Sequence, residues 1–257
     1  MTMRLSTGMR NFTNKYGSLA DALNGGRIEI YTGAQPATAD AAATGTLLCT
    51  ITNASGALTN EVLSSGTVTL NSGASGSVNT LTVNSVEVMG AAVNFNTSLT
   101  QTAADVAAQI NRFKSVPDYT ATSSGAVVTI KALPGTGTAP NTFVVASGVT
   151  TITKTDANMA GGVASVNGLK FDNSVAGVLS KLSTQTWSGL NGATGTAGWF
   201  RQYGSVADAG ALDATEQVLR VDGAIATSGS EMNLNSTAFS SGATSTLAGW
   251  AVTNPAQ

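Results

Sequence analysis

Most hydrolytic and metal chemistry in proteins leans on histidine, and none of the 257 residues of this chain is a histidine. That excludes Ser-His-Asp and Cys-His nucleophile systems and most zinc enzymes in their usual form. A catalytic site would have to rest on carboxylates, as glycoside hydrolysis does. Glu29, Glu61, Glu87, Asp105, Asp172 and Glu231 are scattered, with no local pairing, so only pairing across strands would build one. The glycine runs Gly73-Ala74-Ser75-Gly76 and Gly135-Thr136-Gly137 precede no Lys-Ser/Thr at the head of a helix, so they read as turns and not as phosphate loops. Asp118, Asp156 and Asp172 lack the dense Asp/Asn spacing of a calcium loop. No catalytic, cofactor-binding or metal-binding residue is assigned, and a non-enzyme is expected.

The single cysteine, Cys49, cannot form an internal disulfide. It falls on the apolar side of its segment and reads as a small buried hydrophobe, so the chain needs no oxidising compartment. The aromatic set Trp187, Trp199, Phe200 and Trp250 admits three readings: core, subunit interface, or a platform on which sugars stack.

The elements that would position these residues are mainly strands. In Arg27-Ile28-Glu29-Ile30-Tyr31, the apolar Ile28 and Ile30 alternate with the others, which is the period of a strand with one buried face. Leu47, Cys49 and Ile51 repeat the pattern. Between the two, Gln35-Pro36 starts a turn, Thr38 or Asp40 is placed to cap one helical turn, and Gly45 to end it. Residues 7–23 carry Met9, Phe12 and Tyr16 at helical spacing, then Ser18 restarts a turn with Leu19 and Leu23. This short helical N-terminal arm, residues 1–24, lies across a sheet edge or grips a neighbouring subunit.

Residues 66–162 read as a compact module. Their best helix spans 102–114, with Thr102 to Asp105 resembling a capping box and Val106, Ile110 and Phe113 on one face. Strand patterns surround it at 81–84, 86–88, 126–131, 142–145 and 149–153. Beyond it, 169–171, 197–203, 218–221 and 247–252 read as strands, and Asp222-Gly223 as a tight turn between Val221 and Ile225. The N-terminal strands need partners, and these supply them most economically. The expected fold is therefore mainly β: a β-sandwich-like outer domain, residues 1–64 plus 165–257, interrupted by an inserted α+β module with one amphipathic helix.

Charged residues make up only 10% of the chain, against about 25% in a typical soluble domain. Ser, Thr, Asn, Gly and Ala take their place. A surface of such groups packs against another protein with little desolvation or side-chain entropy cost. The formal net charge of −2, without a basic run, gives no reason to expect nucleic acid. No apolar stretch approaches the roughly 20 residues that span a bilayer, so no membrane is expected. The first residues lack the apolar core of a signal peptide.

Residues 26–33 (Gly-Arg-Ile-Glu-Ile-Tyr-Thr-Gly), with Pro36, Ala39-Asp40-Ala41 and Thr44-Gly45-Thr46-Leu47-Leu48, resemble the opening of structural proteins of tailed bacteriophages. So do Thr196-Ala197-Gly198-Trp199-Phe200-Arg201, Ser228-Gly229 and Met232-Asn233-Leu234-Asn235-Ser236. The two blocks lie closer in that family, which makes the middle of this chain an extra module. That module resembles a domain recurring in phage tail and neck proteins, through Pro117-Asp118-Tyr119-Thr120-Ala121 and Gly125-Ala126-Val127-Val128-Thr129-Ile130. The resemblance brings no catalytic residue.

It implies a virion structural protein that forms a homo-oligomer, a ring or array, in the neck, collar or tail at the head–tail connection, with other virion proteins as partners. The alternatives are a capsid decoration or cement protein and a carbohydrate-binding adhesin. The residues expected to meet a neighbour are Met9, Phe12, Tyr16, Leu19 and Leu23 of the arm, with Trp187 and Trp250.

Overall fold

The computed structural model describes residues 3–213 and 218–253. They fold as mainly β, with several antiparallel sheets and few helices. The chain divides into two compact units, Met1–Glu61 with Ser165–Gln257, and Val62–Ala164. The division falls at Glu61 because its N–H donates to Ser205 within the first unit, whereas Val62 and Val163 exchange two backbone hydrogen bonds within the second.

In chain order the first unit begins with strand β1 (Arg4–Leu5), helix α1 (Thr7–Lys15) and helix α2 (Leu19–Leu23), then strands β2 (Arg27–Thr32) and β3 (Leu47–Asn53). Ser6 caps α1, its Oγ accepting the Met9 N–H, and Ser18 with Asp21 forms a capping box on α2. The second unit holds β4 (Ser65–Ser72), β5 (Ser77–Val83), β6 (Val86–Glu87), β7 (Val93–Asn94), α3 (Leu99–Arg112), β8 (Tyr119–Ser124), β9 (Val127–Ala132), β10 (Val145–Thr150) and β11 (Thr153–Ala160). The first unit resumes with β12 (Val178–Ser180), β13 (Trp187–Leu190), β14 (Gly195–Tyr203) and β15 (Arg220–Ala226). It ends with β16 (Met232–Asn233), β17 (Ala238–Phe239), β18 (Thr244–Leu247) and β19 (Ala251–Thr253).

A nine-stranded sheet organises the first unit, in the order β1-β15-β14-β2-β3-β13-β18, with β16 and β17 attached to β15 and β14. Its apolar face carries Ile28, Ile30, Leu48, Ile51, Phe200 and Val221, all fully buried, and α1 and α2 contribute Met9 and Leu23 to the same core. The N-terminal segment is thus not an arm reaching to a neighbour. Met9, Phe12 and Leu23 are buried in the core of their own unit, and Tyr16 and Leu19 pack against it. Its thin apolar stripe finds its partner within the same chain, as a helix this short requires. Met1 and Thr2 of that segment lie outside the described residues.

In the second unit the sheets β11-β4-β9-β8 and β10-β5-β6, with β7 attached to β5, share one core with α3. Val106 and Ile110 of α3 are almost completely buried against Val68, Val128 and Ile130. The helix starts one turn earlier than its sequence suggests. Ser98 is the cap, its Oγ accepting the Gln101 N–H, and Thr102 is buried with its hydroxyl turned back onto the Ser98 carbonyl at 2.8 Å. Asn111, near the end of α3, bonds both polar groups of the Ala121 backbone in edge strand β8, at 2.7 and 2.8 Å. Its amide does what a neighbouring peptide would do, and closes that edge.

Several local expectations give way to tertiary pairing. Asp222-Gly223 is not a turn: β15 runs straight through it. Gly223 is required there because a Cβ would sit 2.5 Å from the Phe200 ring, and Asp222 pairs with Arg201 of β14. Residues 169–171 form only isolated bridges, and the segment 247–252 breaks between β18 and β19. The 33–46 loop contains no helix, only one turn closed by the Ala41 N–H on the Thr38 carbonyl at 3.2 Å, and its Asp40 carboxylate accepts the Thr7 N–H and hydroxyl, both at 2.8 Å, at the start of α1.

Candidate functional site

The face of the nine-stranded sheet opposite the apolar core is also covered, and it is covered charge by charge. Strand register lays three rows across it. Arg4, Asp222, Arg201 and Glu29 oppose one another in turn across β1, β15, β14 and β2, so that sign alternates along the row. One row runs Arg220, Tyr203, Arg27, and another Ala224, Trp199, Tyr31. All occupy alternate strand positions, which puts them on one face.

The geometry is specific. Arg201 meets Asp222 by two bonds of 2.7 Å, both side chains fully buried. Arg220 grips Asp208 in the same forked manner, again at 2.7 Å. Arg27 donates to Glu29 at 2.6 Å and lies 4.0 Å over the Tyr203 ring, while the Tyr31 hydroxyl donates to the other Glu29 oxygen. Trp199 stacks on Tyr31 with centroids 4.6 Å apart. Planar guanidinium forks suit such buried pairing better than lysine would.

Over this face lies the 33–46 loop. Arg201 donates to the Ala41 carbonyl at 3.0 Å, Arg220 to the Ala39 carbonyl at 3.3 Å, Arg4 to the Pro36 carbonyl, and Trp199 Nε1 to the Thr44 carbonyl at 3.2 Å. The segment containing Asp208 and Asp213 runs beside it, with backbone bonds from Ala43 to Gly210 and from Asp213 to Asp40. The loop buries little apolar surface of its own, chiefly Pro36 and Ala39. What holds it is the set of carbonyl oxygens that the guanidinium groups capture.

Burial shapes the protonation of this layer. It pushes the Asp222 carboxyl up, against the pull of Arg201 and then of Arg220 and Arg4. Burial pulls the Arg201 guanidinium down, but its bonds to Asp222 outweigh that and the net shift is upward. Burial also drives Tyr31 far above the ordinary tyrosine range, with Glu29 adding to the shift, and pushes Tyr203 up to about 12. The result is a neutralised clamp. The carboxylates of Asp222, Asp208 and Glu29 each pair with an arginine.

Charge is correspondingly rare outside. Among the described residues of this unit, Arg10, Asp21 and Lys170 are the charged residues that stand exposed. The rest of the exterior is largely Ser, Thr, Asn, Gly and Ala, with Leu47, Val166, Val175, Leu190 and Leu212 as exposed larger apolar side chains.

The aromatic candidates are buried, Trp187, Phe200 and Trp250 in the apolar core and Trp199 in the covered charged layer. Trp187, Trp199 and Phe200 are fully buried and Trp250 is 6% exposed. Phe171 meets Trp187 edge-on at 5.4 Å, and Phe200 meets Trp250 at 4.9 Å. Buried rings present no face to a sugar and no side to a subunit, which corrects both the stacking platform and the assignment of Trp187 and Trp250 to an interface. The sequence did not point to Arg201, Arg220, Asp208 and Asp222 as a charged layer, although each is a rare charge and Arg201 and Arg220 lie within strand patterns; Asp222 read as part of a turn.

Two polar groups in the apolar core have measurable consequences. Gln202 lies between Ile28 and Val221 in register, is fully buried, and neither end of its amide has a partner among the described residues. Gln202→Met is expected to raise stability by about 1–3 kcal/mol, the usual cost of an unmet buried amide. Urea denaturation reads this, and a loss of stability would contradict it. Burial of the Cys49 thiol pushes it from its ordinary 9.0 up to about 11. The native protein is expected to resist alkylation in mildly alkaline buffer and to react fully once denatured. Because the unfolded thiol ionises first, its contribution to stability is complete below 9.0 and is lost as pH rises to about 11. Rapid labelling of native protein would show that the strand pair around Cys49 opens.

Among the described residues no group of three His, Cys, Asp or Glu side chains is placed to hold a metal ion, and no helix is long and apolar enough to cross a membrane. Comparison of the chain with protein-family models, with curated proteins and with solved structures found no match.

Proposed function

We propose that this chain is a non-enzymatic structural subunit of a tailed-phage virion, placed in the neck, collar or tail, where it works as a homo-oligomer beside other virion proteins. The observation that carries this reading is the inversion of charge. The first unit locks the pairs Arg201–Asp222 and Arg220–Asp208 against the 33–46 loop and carries an exterior mostly of small neutral groups. Burying an exposed charge in a contact costs free energy unless a partner meets it, whereas Ser, Thr and Gly surfaces cost little. Such an exterior suits permanent contact on several sides. The resemblance of residues 26–48 and 196–201 to phage structural proteins gives that contact its setting.

Catalysis is not part of this reading. Purified protein is expected to show no turnover of polysaccharide, peptidoglycan or peptide substrates, and reproducible turnover abolished by replacing one carboxylate would overturn it. Electron microscopy of particles labelled with an antibody to the chain tests the location. Label confined to one vertex or to the tail is the expected result. Label spread over the shell would make the chain a decoration protein, and unlabelled particles would remove it from the virion.

A further inference from the structure

The nine-stranded sheet ends on β18, and its edge differs from those of β1, β8, β10 and β11. At the opposite end, β1 is two residues long and bears Arg4. In the second unit, Asn111 plugs the β8 edge, and the Asp156 and Asn158 side chains of β11 accept the Ser147 and Val145 N–H groups of β10. These are the devices by which sheets avoid adding strands. For β18 the hydrogen bonds among the described residues are its ladder to β13 and one from Ser245 Oγ to Asn191. The strand reads Thr244-Ser245-Thr246-Leu247, without charge, proline or bulge, and its Thr244 and Thr246 stand exposed.

We propose that this edge pairs with β18 of a second copy of the chain, antiparallel, about a two-fold axis normal to the sheet. The inference rests on the assembly reading above and names one of its contacts. The outward N–H and C=O groups of an edge strand fit only another extended backbone. A second copy fits because the pairing is self-complementary. The axis keeps each face of the sheet on its own side, so the Thr244 and Thr246 face of one copy continues that face of the other, as an isologous contact requires. Threonines then stand opposite threonines, a favoured cross-strand pair, and no like charges meet. Leu190, which opposes Thr244 on β13 and is 62% exposed, lies next to the joint and extends the contact.

Sedimentation of the full chain at micromolar concentration tests this, using wild type, Thr246→Lys and Thr246→Ser. Lysine would set two ammonium groups beside the axis, whereas serine keeps a small hydroxyl. Wild type and Thr246→Ser are expected to sediment as pairs or multiples of pairs, and Thr246→Lys at half the mass of a pair. Thr244→Lys serves as a second variant if Thr246→Lys does not fold, with the same outcome expected. Monomeric wild type, or lysine variants that pair as wild type does, would overturn the proposal. If the lysine variants pair normally while the chain is still found in particles, the edge contact is wrong and the virion reading stands. If the edge pairs as described but particles lack the chain, the contact stands and the virion reading falls.

Discussion

Asp222→Ala is expected to cost about 3–5 kcal/mol of stability, the range for breaking a buried ion pair from one side. The change leaves Arg201 fully buried with its carboxylate partner gone, and removes a negative charge that also faces Arg4 and Arg220, of which Arg220 keeps Asp208. The remaining bond from Arg201 to the Ala41 carbonyl does not neutralise a charge. Because the 33–46 loop is held by these guanidinium groups, its backbone amides should exchange faster in the variant than in wild type. The double variant Arg201→Met with Asp222→Ala should lose less than the single one, since it removes the stranded cation as well. Denaturation of all three proteins measures this. A single variant within about 1 kcal/mol of wild type would mean that the buried pair contributes no more than an exposed one does.

Ile110→Ala is expected to cost about 2–5 kcal/mol in the excised segment 62–164, as truncations of buried isoleucine do. The side chain is 1% exposed and packs in a core made wholly of residues from that unit. The prediction carries a stronger one, that residues 62–164 fold alone. The segment brings two sheets, a capped helix and its own closed edges. A dispersed amide spectrum and cooperative unfolding of the fragment are the expected results. A fragment that shows neither would mean that the two units depend on each other for folding.

What the sequence displays and what it conceals are both visible in β2. Ile28 and Ile30 mark a strand with one apolar face, and that face is core. Arg27 and Glu29 on the other side look the same whether they meet water or a second covered layer, because period 2 reports alternation and not what lies beyond. The covering loop and the cross-strand arginines come from distant parts of the chain, so no local window contains the clue. Asp222-Gly223 fails for the same reason. The dipeptide has the turn preference expected of it, but Arg201 and the Phe200 ring, about twenty residues away, fix it in a strand. In α3 the apolar spacing of Val106 and Ile110 is decisive for the helix, while its start is not, since Ser98 and Thr102 are both competent caps. The N-terminal stripe shows that α1 and α2 must dock; only the structure shows that they dock on their own unit.

If the chain is the virion subunit proposed above, purified particles carry it in fixed proportion, and counting copies decides the matter. Quantitative mass spectrometry against isotope-labelled peptides of this chain, normalised to the major shell protein, gives the number. A closed ring at one vertex or along the tail predicts a small, fixed number of copies that does not vary between preparations, and an even number where the β18 edges pair. Particles without the chain, or with traces that fall away on further purification, would show that it is not a virion subunit.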